Sequence, residues 1–206
     1  MIALGLAHLA FAWGLFILLA PLTSSLWRRC GLLAVTSLLS VMPVDGLSMA
    51  AYARSLTDDL AISTLVLLGW LVLQRLGVLK PVAVSPRLMA LLVFALLALT
   101  LYPATLGLTY FDPYRWGYNP RPMIIIVAFI ALGLVCLRNT LAVAMLAVAT
   151  LAFTFRIKPS ENYWDYLIDP LLGLCCCAAL LGLAVRFIYR RVTGQRPSAG
   201  VSAGNV

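Results

Sequence analysis

Apolar residues fall into seven runs along this chain, roughly Ile2–Leu22, Cys30–Val44, Leu60–Leu73, Leu88–Leu108, Met123–Leu137, Thr140–Phe155 and Pro170–Ile188, separated by polar links. A helix that crosses the hydrocarbon core of a bilayer needs about 20 residues, within a range of roughly 17–25. The first, fourth and seventh runs meet that length. The second, third, fifth and sixth are short, and must borrow flanking residues or sit in thinned membrane. The pattern predicts an all-α, polytopic transmembrane helix bundle of seven spans over residues 1–191, with six spans as the alternative count. Residues 192–206, rich in Gly, Ser and Ala, are expected to form a disordered cytoplasmic tail.

Composition agrees. Hydrophobic residues make up 63% of the chain and charged residues 11%, against about half and about a quarter in soluble domains. A net charge of +8 would point to nucleic acid in a soluble protein. Here it marks the retention of Lys and Arg on the cytoplasmic side, and no nucleic-acid partner is expected. The first apolar run has no basic residue ahead of it, so it reads as a retained helix, not a secretory signal.

The links set the orientation. Arg28 and Arg29 follow the first run; Arg75, Lys80 and Arg87 follow the third; Arg138 follows the fifth; and Arg186, Arg190, Arg191 and Arg196 close the chain. Ten of the 15 basic residues therefore lie on alternating links, which the positive-inside rule assigns to the cytoplasm. The N-terminus is then outside and the C-terminus inside. The carboxylates were free to fall anywhere, yet all seven acidic residues lie on the opposite links. That one-sidedness supports seven spans.

The outer links are the candidate working surface. Asp45 and Gly46 are expected to start a short interfacial helix carrying Leu47, Ala50, Ala51 and Arg54 at helical spacing. Asp58 and Asp59 would follow in the first turn of the third span, where an acid offsets the helix dipole by about 0.3–1 kcal/mol; two adjacent acids also fit a site. Tyr102-Pro103 should kink the outer end of the fourth span. Thr109–Pro122 is the stretch that organises this face. Its three X-Pro bonds confine Asp112, Asn119 and Arg121 to extended backbone, Pro122 can open the fifth span, and the loop is expected to fold back, ordered, over the bundle. Arg138 and Asn139 alone join the fifth and sixth spans. In the last outer link Glu161, Asp165 and Asp169 are spaced by one helical turn each, and Asp169-Pro170 fits an N-cap followed by proline at N1.

Seven of the eight tyrosines lie on this face (Tyr52, Tyr102, Tyr110, Tyr114, Tyr118, Tyr163, Tyr166), with Trp116 and Trp164. Such aromatics anchor helices at headgroup level, but the excess is one-sided. Aromatic plates among carboxylates and arginines also suit a sugar ring or a lipid headgroup, because carboxylates accept from hydroxyls and guanidinium forks grip phosphate. The candidate site comprises Asp45, Asp59, Asp112, Arg115, Trp116, Arg121, Glu161, Trp164 and Asp165, centred on Asp112, Trp116, Trp164 and Asp165. Paired carboxylates could serve as general acid and base or hold a hard cation, but spacing singles out no catalytic residue. The plainer reading pairs these charges locally, Arg54 with Asp58 and Arg156 or Lys158 with Glu161.

Other residues carry less. His8, the only histidine, is expected to be a neutral imidazole bonded to a Ser, a Thr or a carbonyl. Cys175, Cys176 and Cys177 cannot converge on one ion, since adjacent helical residues point about 100° apart. With no CxxC spacing either, no metal site, disulfide or cofactor is expected. Gly133 and Gly173 are suited to close helix packing.

Three functions fit a chain of this kind in a bacterial cytoplasmic (inner) membrane. The first is a non-enzymatic accessory or assembly component of the cell envelope, partnered by another envelope membrane protein. The second is an enzyme or binder acting on a lipid-linked glycan or phospholipid headgroup at the outer face. The third is a transporter or channel, against which the absence of mid-span charge weighs. Convergence of Asp45, Asp59, Asp112 and Asp165 around a lipid-accessible cleft would favour the second.

Overall fold

The computed structural model describes residues 2–193. The chain is mostly helical: α1 (Ile2–Leu19), α2 (Leu26–Val41), α3 (Met49–Thr57), α4 (Ile62–Arg75), α5 (Val84–Thr105), α6 (Pro120–Cys136), α7 (Thr140–Thr154), α8 (Trp164–Leu167) and α9 (Pro170–Val192). Three segments, Leu4–Leu22, Val84–Thr105 and Pro170–Val192, are long and apolar enough to cross a membrane, and the protein is membrane-embedded. The helices α2, α4, α6 and α7 have 16, 14, 17 and 15 residues. At about 1.5 Å per residue they fall short of a hydrocarbon core about 30 Å thick.

Helix α7 is the inner member. It packs against α4, α5, α6 and α8, and buries Leu141, Ala142, Met145, Leu146, Ala149 and Ala152. The alanines let its neighbours approach closely, as small residues do where lipid supplies no hydrophobic drive. On one flank α1 lies between α4 and the pair α2 and α3; on another, α5 runs along α9. Gly173 permits that last contact: a Cβ there would stand 2.8 Å from the Ala98 Cβ and 3.1 Å from the Tyr102 ring. Gly133 has no such role, since a Cβ on it meets nothing within 4 Å. The imidazole of His8, half-buried, bonds the Ser40 carbonyl at 2.9 Å and ties α1 to α2.

Several local expectations are corrected. Asp45 and Gly46 do not start a helix. Both have positive φ (46° and 86°), the geometry of a tight Asp-Gly hairpin turn, and they join strands Pro43–Val44 and Leu47–Ser48. The helix starts after them, capped by Ser48, whose side chain accepts from Ala51 N at 3.2 Å. Asp58 and Asp59 precede α4 instead of occupying its first turn. Proline opens α6 at Pro120, not Pro122, which places Arg121 in the helix: at the N-terminus the missing N–H costs nothing, and this outweighs the extended preference before Pro122. Glu161 lies outside α8, and Asp165 lies within it while Asp169 is the extended N-cap of α9. Apart from Val192, which ends α9, and Thr193, the expected tail over 192–206 lies outside the described residues.

Candidate functional site

The links that carry the carboxylates fold onto one another at one end of the bundle. The Pro113–Gly117 segment forms a 3₁₀ turn, started by the Asp112 carboxylate accepting from Tyr114 N at 3.1 Å. It docks onto the link between α7 and α9. Tyr163 N donates to the Gly117 carbonyl at 3.0 Å, Asn162 Nδ2 to the Tyr114 carbonyl at 3.0 Å, and Trp164 Nε1 to the Pro113 carbonyl at 2.9 Å. A Cβ on Gly117 would overlap the Asn162 carboxamide, so only glycine permits this approach.

Beneath that junction the polar groups are buried and paired. The Tyr163 hydroxyl bonds Thr150 at 2.6 Å, and Ser63 donates to the Leu167 carbonyl at 2.6 Å. The Tyr166 hydroxyl accepts from Lys158 N at 3.1 Å and donates to the Lys158 carbonyl at 2.8 Å. Burial raises the pKa of Tyr163 and Tyr166 above the usual phenol value, because desolvation penalises the phenolate, while the bonds to Thr150 and Lys158 act the other way.

Lys158 holds the centre. Only 5% exposed, it donates to the carbonyls of Asp59 (3.0 Å), Leu60 (3.1 Å) and Asp165 (2.9 Å). Burial lowers its pKa, while Asp59 and Asp165 nearby oppose that shift. Three converging carbonyls take all three ammonium protons and favour the charged form. Lys158 does not pair with Glu161. Asp169 is buried too: its carboxylate caps α9 through Leu172 N at 2.8 Å and reaches across to Ala61 N (2.9 Å) and the Thr64 hydroxyl (2.5 Å). The start of α4 is therefore capped by a residue 108 positions along the chain. Arg54 grips Asp59, not Asp58, through both carboxylate oxygens at 2.6 and 2.9 Å, the one ion pair among the described residues.

Two cavities meet here. An apolar groove of about 700 Å³ runs between α1 and α4, walled by Leu6, Ala10, Gly14, Leu67 and Leu71 and by Leu171 of α9. A polar cavity of about 380 Å³ lies at its end, lined by Tyr102, Tyr114, Ser160, Asp165 and Asp169. Thr57, Asp58, Asp59 and Lys158 form walls of both. Asp58 sits at φ 58°, ψ −167°, backbone that is rare outside glycine and recurs at functional sites.

Of the residues expected at the site, Asp59 and Asp165 line the polar cavity, and Trp164 is buried in the junction beneath the docked loop. Asp45 turns the hairpin, Asp112 caps its own loop, and Glu161 is exposed. Arg115 and Arg121 are exposed, and Trp116, 48% exposed, meets Phe111 edge-on at 5.1 Å. The four acids Asp45, Asp59, Asp112 and Asp165 thus do not all converge; Asp59 and Asp165 do, with Asp58 and Asp169. Asp169 was legible as a cap but not as a cavity wall, and nothing in the spacing marked Lys158 or Asn162. Comparison with known proteins finds no matching family model, curated protein or solved structure.

Proposed function

We propose that this chain is a seven-span protein of a bacterial cytoplasmic membrane, N-terminus outside and C-terminus inside, that binds one lipid molecule and holds its headgroup at the outer face. The observation that carries this reading is the wall shared by the apolar groove and the polar cavity. An acyl chain lying along α1 and α4 would bring its headgroup to Asp58 and Asp59 with no further rearrangement. Sites for amphiphiles have this form, a largely apolar concavity with a few convergent polar groups. The binder reading suits an accessory role in the envelope as well as a headgroup-modifying one. A through-channel is disfavoured: a third cavity, at the opposite end beside Gln74 and Arg87, meets the groove only at Leu67 and Leu71.

The span count and orientation rest on the one-sided charges and gain support from packing. Arg29 donates to the Arg75 carbonyl at 2.7 Å, and Asn139 to the Pro86 carbonyl at 2.8 Å. These bonds join links that the charge rule places on one side. Reporter fusions after Arg29 and Lys80 should both behave as cytoplasmic, and periplasmic activity at either would overturn the topology.

Lipid binding is tested by native mass spectrometry of the detergent-purified protein. The wild type should retain lipid. Gly14 lines the groove, and a Cβ on it meets nothing within 4 Å, so Gly14→Trp should fold while filling the groove and losing the lipid. Equal retention by the two proteins would overturn the reading.

A further inference from the structure

The polar cavity has acceptors to offer and few donors. Of its hydroxyls, Thr57 donates to the Ala53 carbonyl, Thr105 to the Tyr102 carbonyl, and Ser160 and Tyr114 to the Asp165 carboxylate; the Tyr102 hydroxyl alone is left as an uncommitted donor, a neutral one, among the described residues. The Lys158 protons are committed to three backbone carbonyls. The Asp58 carboxylate receives no hydrogen bond from any described residue, and Asp165 Oδ1 has only the long contact of 3.4 Å from Tyr114. Charge is unbalanced in the same sense. Asp58, Asp59, Asp165 and Asp169 line the cavity against the single ammonium of Lys158, and Arg54 neutralises only Asp59. Carboxylates that outnumber the cations beside them disfavour a bare phosphate, and a headgroup of hydroxyls alone would leave the charge uncompensated.

Resting on the lipid-binding reading, we propose that the lipid held here carries a primary ammonium headgroup, its N–H groups donating to Asp58 and Asp165 while its acyl chain fills the groove along α1 and α4. An ammonium supplies three donors and a positive charge together, which is what the cavity lacks. A divalent cation is the less fitting occupant, because no group of three His, Cys, Asp or Glu among the described residues is placed to hold a metal.

The test offers the purified protein an equimolar mixture of phosphatidylethanolamine, phosphatidylcholine and phosphatidylglycerol with identical acyl chains, and reads bound lipid by native mass spectrometry. The ethanolamine lipid should be retained about ten-fold over either competitor, the size of one charge-assisted hydrogen bond. Choline has the same charge but no N–H, so it isolates the donor requirement. Asp58→Asn, which keeps the side-chain shape and removes the charge, should bring the ratio close to one by lowering retention of the ethanolamine lipid. Asp165→Asn provides a second variant should Asp58→Asn fold poorly. Equal retention of all three lipids by the wild type would overturn the ammonium assignment and leave lipid binding intact. Preference for phosphatidylglycerol, or binding abolished by EDTA, would overturn it in favour of an anionic or cation-bridged headgroup. No lipid retained at all would remove both readings.

Discussion

The ammonium of Lys158 donates to the backbone carbonyl of Asp165 at 2.9 Å, while that residue's carboxylate is left to Ser160 and Tyr114. A buried lysine with several acids around it would ordinarily form an ion pair. Here the link between α3 and α4 and the link between α7 and α9 both aim carbonyls at Nζ, so the charge is a tether between backbones. The carboxylates stay available to the cavity as a result.

Replacing the tether should therefore cost stability. Lys158→Met keeps the aliphatic stem and leaves three carbonyls without their donor, each worth about 1–3 kcal/mol where water cannot substitute. Lys158→Arg should recover only part of the loss, because a planar fork does not match three converging carbonyls. Thermal unfolding in detergent measures both. An unchanged melting temperature for Lys158→Met would mean that water reaches these carbonyls and that the tether is not needed.

Asp169→Ala should be more damaging than loss of an ordinary helix cap, which costs about 0.5–2 kcal/mol. The carboxylate serves Leu172 N at the start of α9 and also Ala61 N and Thr64 at the start of α4. Thr64→Val removes only one of those bonds and should be the milder change. If the two variants unfold at the same temperature, the bond to Ala61 N contributes nothing and the cross-helix cap is not a real coupling.

Stability should fall in strong alkali. Folding raises the pKa of Tyr114, Tyr163 and Tyr166 above 10.0, in each case chiefly through burial. A group whose folded pKa is raised contributes stability that is complete below the unfolded pKa and is lost as pH climbs through the folded one. The tyrosine contribution is thus whole up to about pH 10 and declines above it. Lys158 has the opposite sign: its lowered pKa means the cost of burying the charge is relieved as pH approaches 10.5. Three phenols outweigh one amine, so the net limb should be destabilising. Tyr163→Phe should make that limb shallower, as read by phenolate absorbance and unfolding temperature together. A limb identical to wild type would show that Tyr163 ionises without unfolding the junction.

What the sequence disclosed follows from which interactions are local. The long apolar helices and the Asp169-Pro170 cap each depend on a run or on one neighbour, and both are present in the fold. The Asp-Gly turn before Ser48 was legible in principle, as a hairpin dipeptide, but Leu47, Ala50 and Ala51 imitate a helix face. The cavity was not legible. It needs Asp169 to reach Ala61 and Lys158 to reach Asp59, pairings 108 and 99 residues apart, and no local pattern encodes a carbonyl aimed at an ammonium. Charge counting found the acidic end but could not tell Asp165, which faces the cavity, from Glu161, which faces away.

The docking of the Pro113–Gly117 turn onto the α7–α9 link should hinge on a missing methyl group. At Gly117 the backbone is pressed against Asn162 and Trp164, and a Cβ would stand 2.9 Å from Trp164 Cδ1 as well as overlapping the Asn162 carboxamide. Neither neighbour can retreat cheaply, because Asn162 holds the Tyr114 carbonyl and Trp164 holds the Pro113 carbonyl. Gly117→Ala should therefore cost about 1–3 kcal/mol, as overpacking does elsewhere, and should release the loop as one unit. Trp116→Ala is the control: that ring stands half in the open against Phe111, and its loss should leave the junction closed. Amide exchange in an intact bilayer reads the difference at Tyr163, whose N–H is bonded to the Gly117 carbonyl. Protection there should collapse in Gly117→Ala and persist in Trp116→Ala. The same protection in both variants would mean that the turn adjusts to a side chain and that close approach at Gly117 is not what holds the roof of the cavity in place.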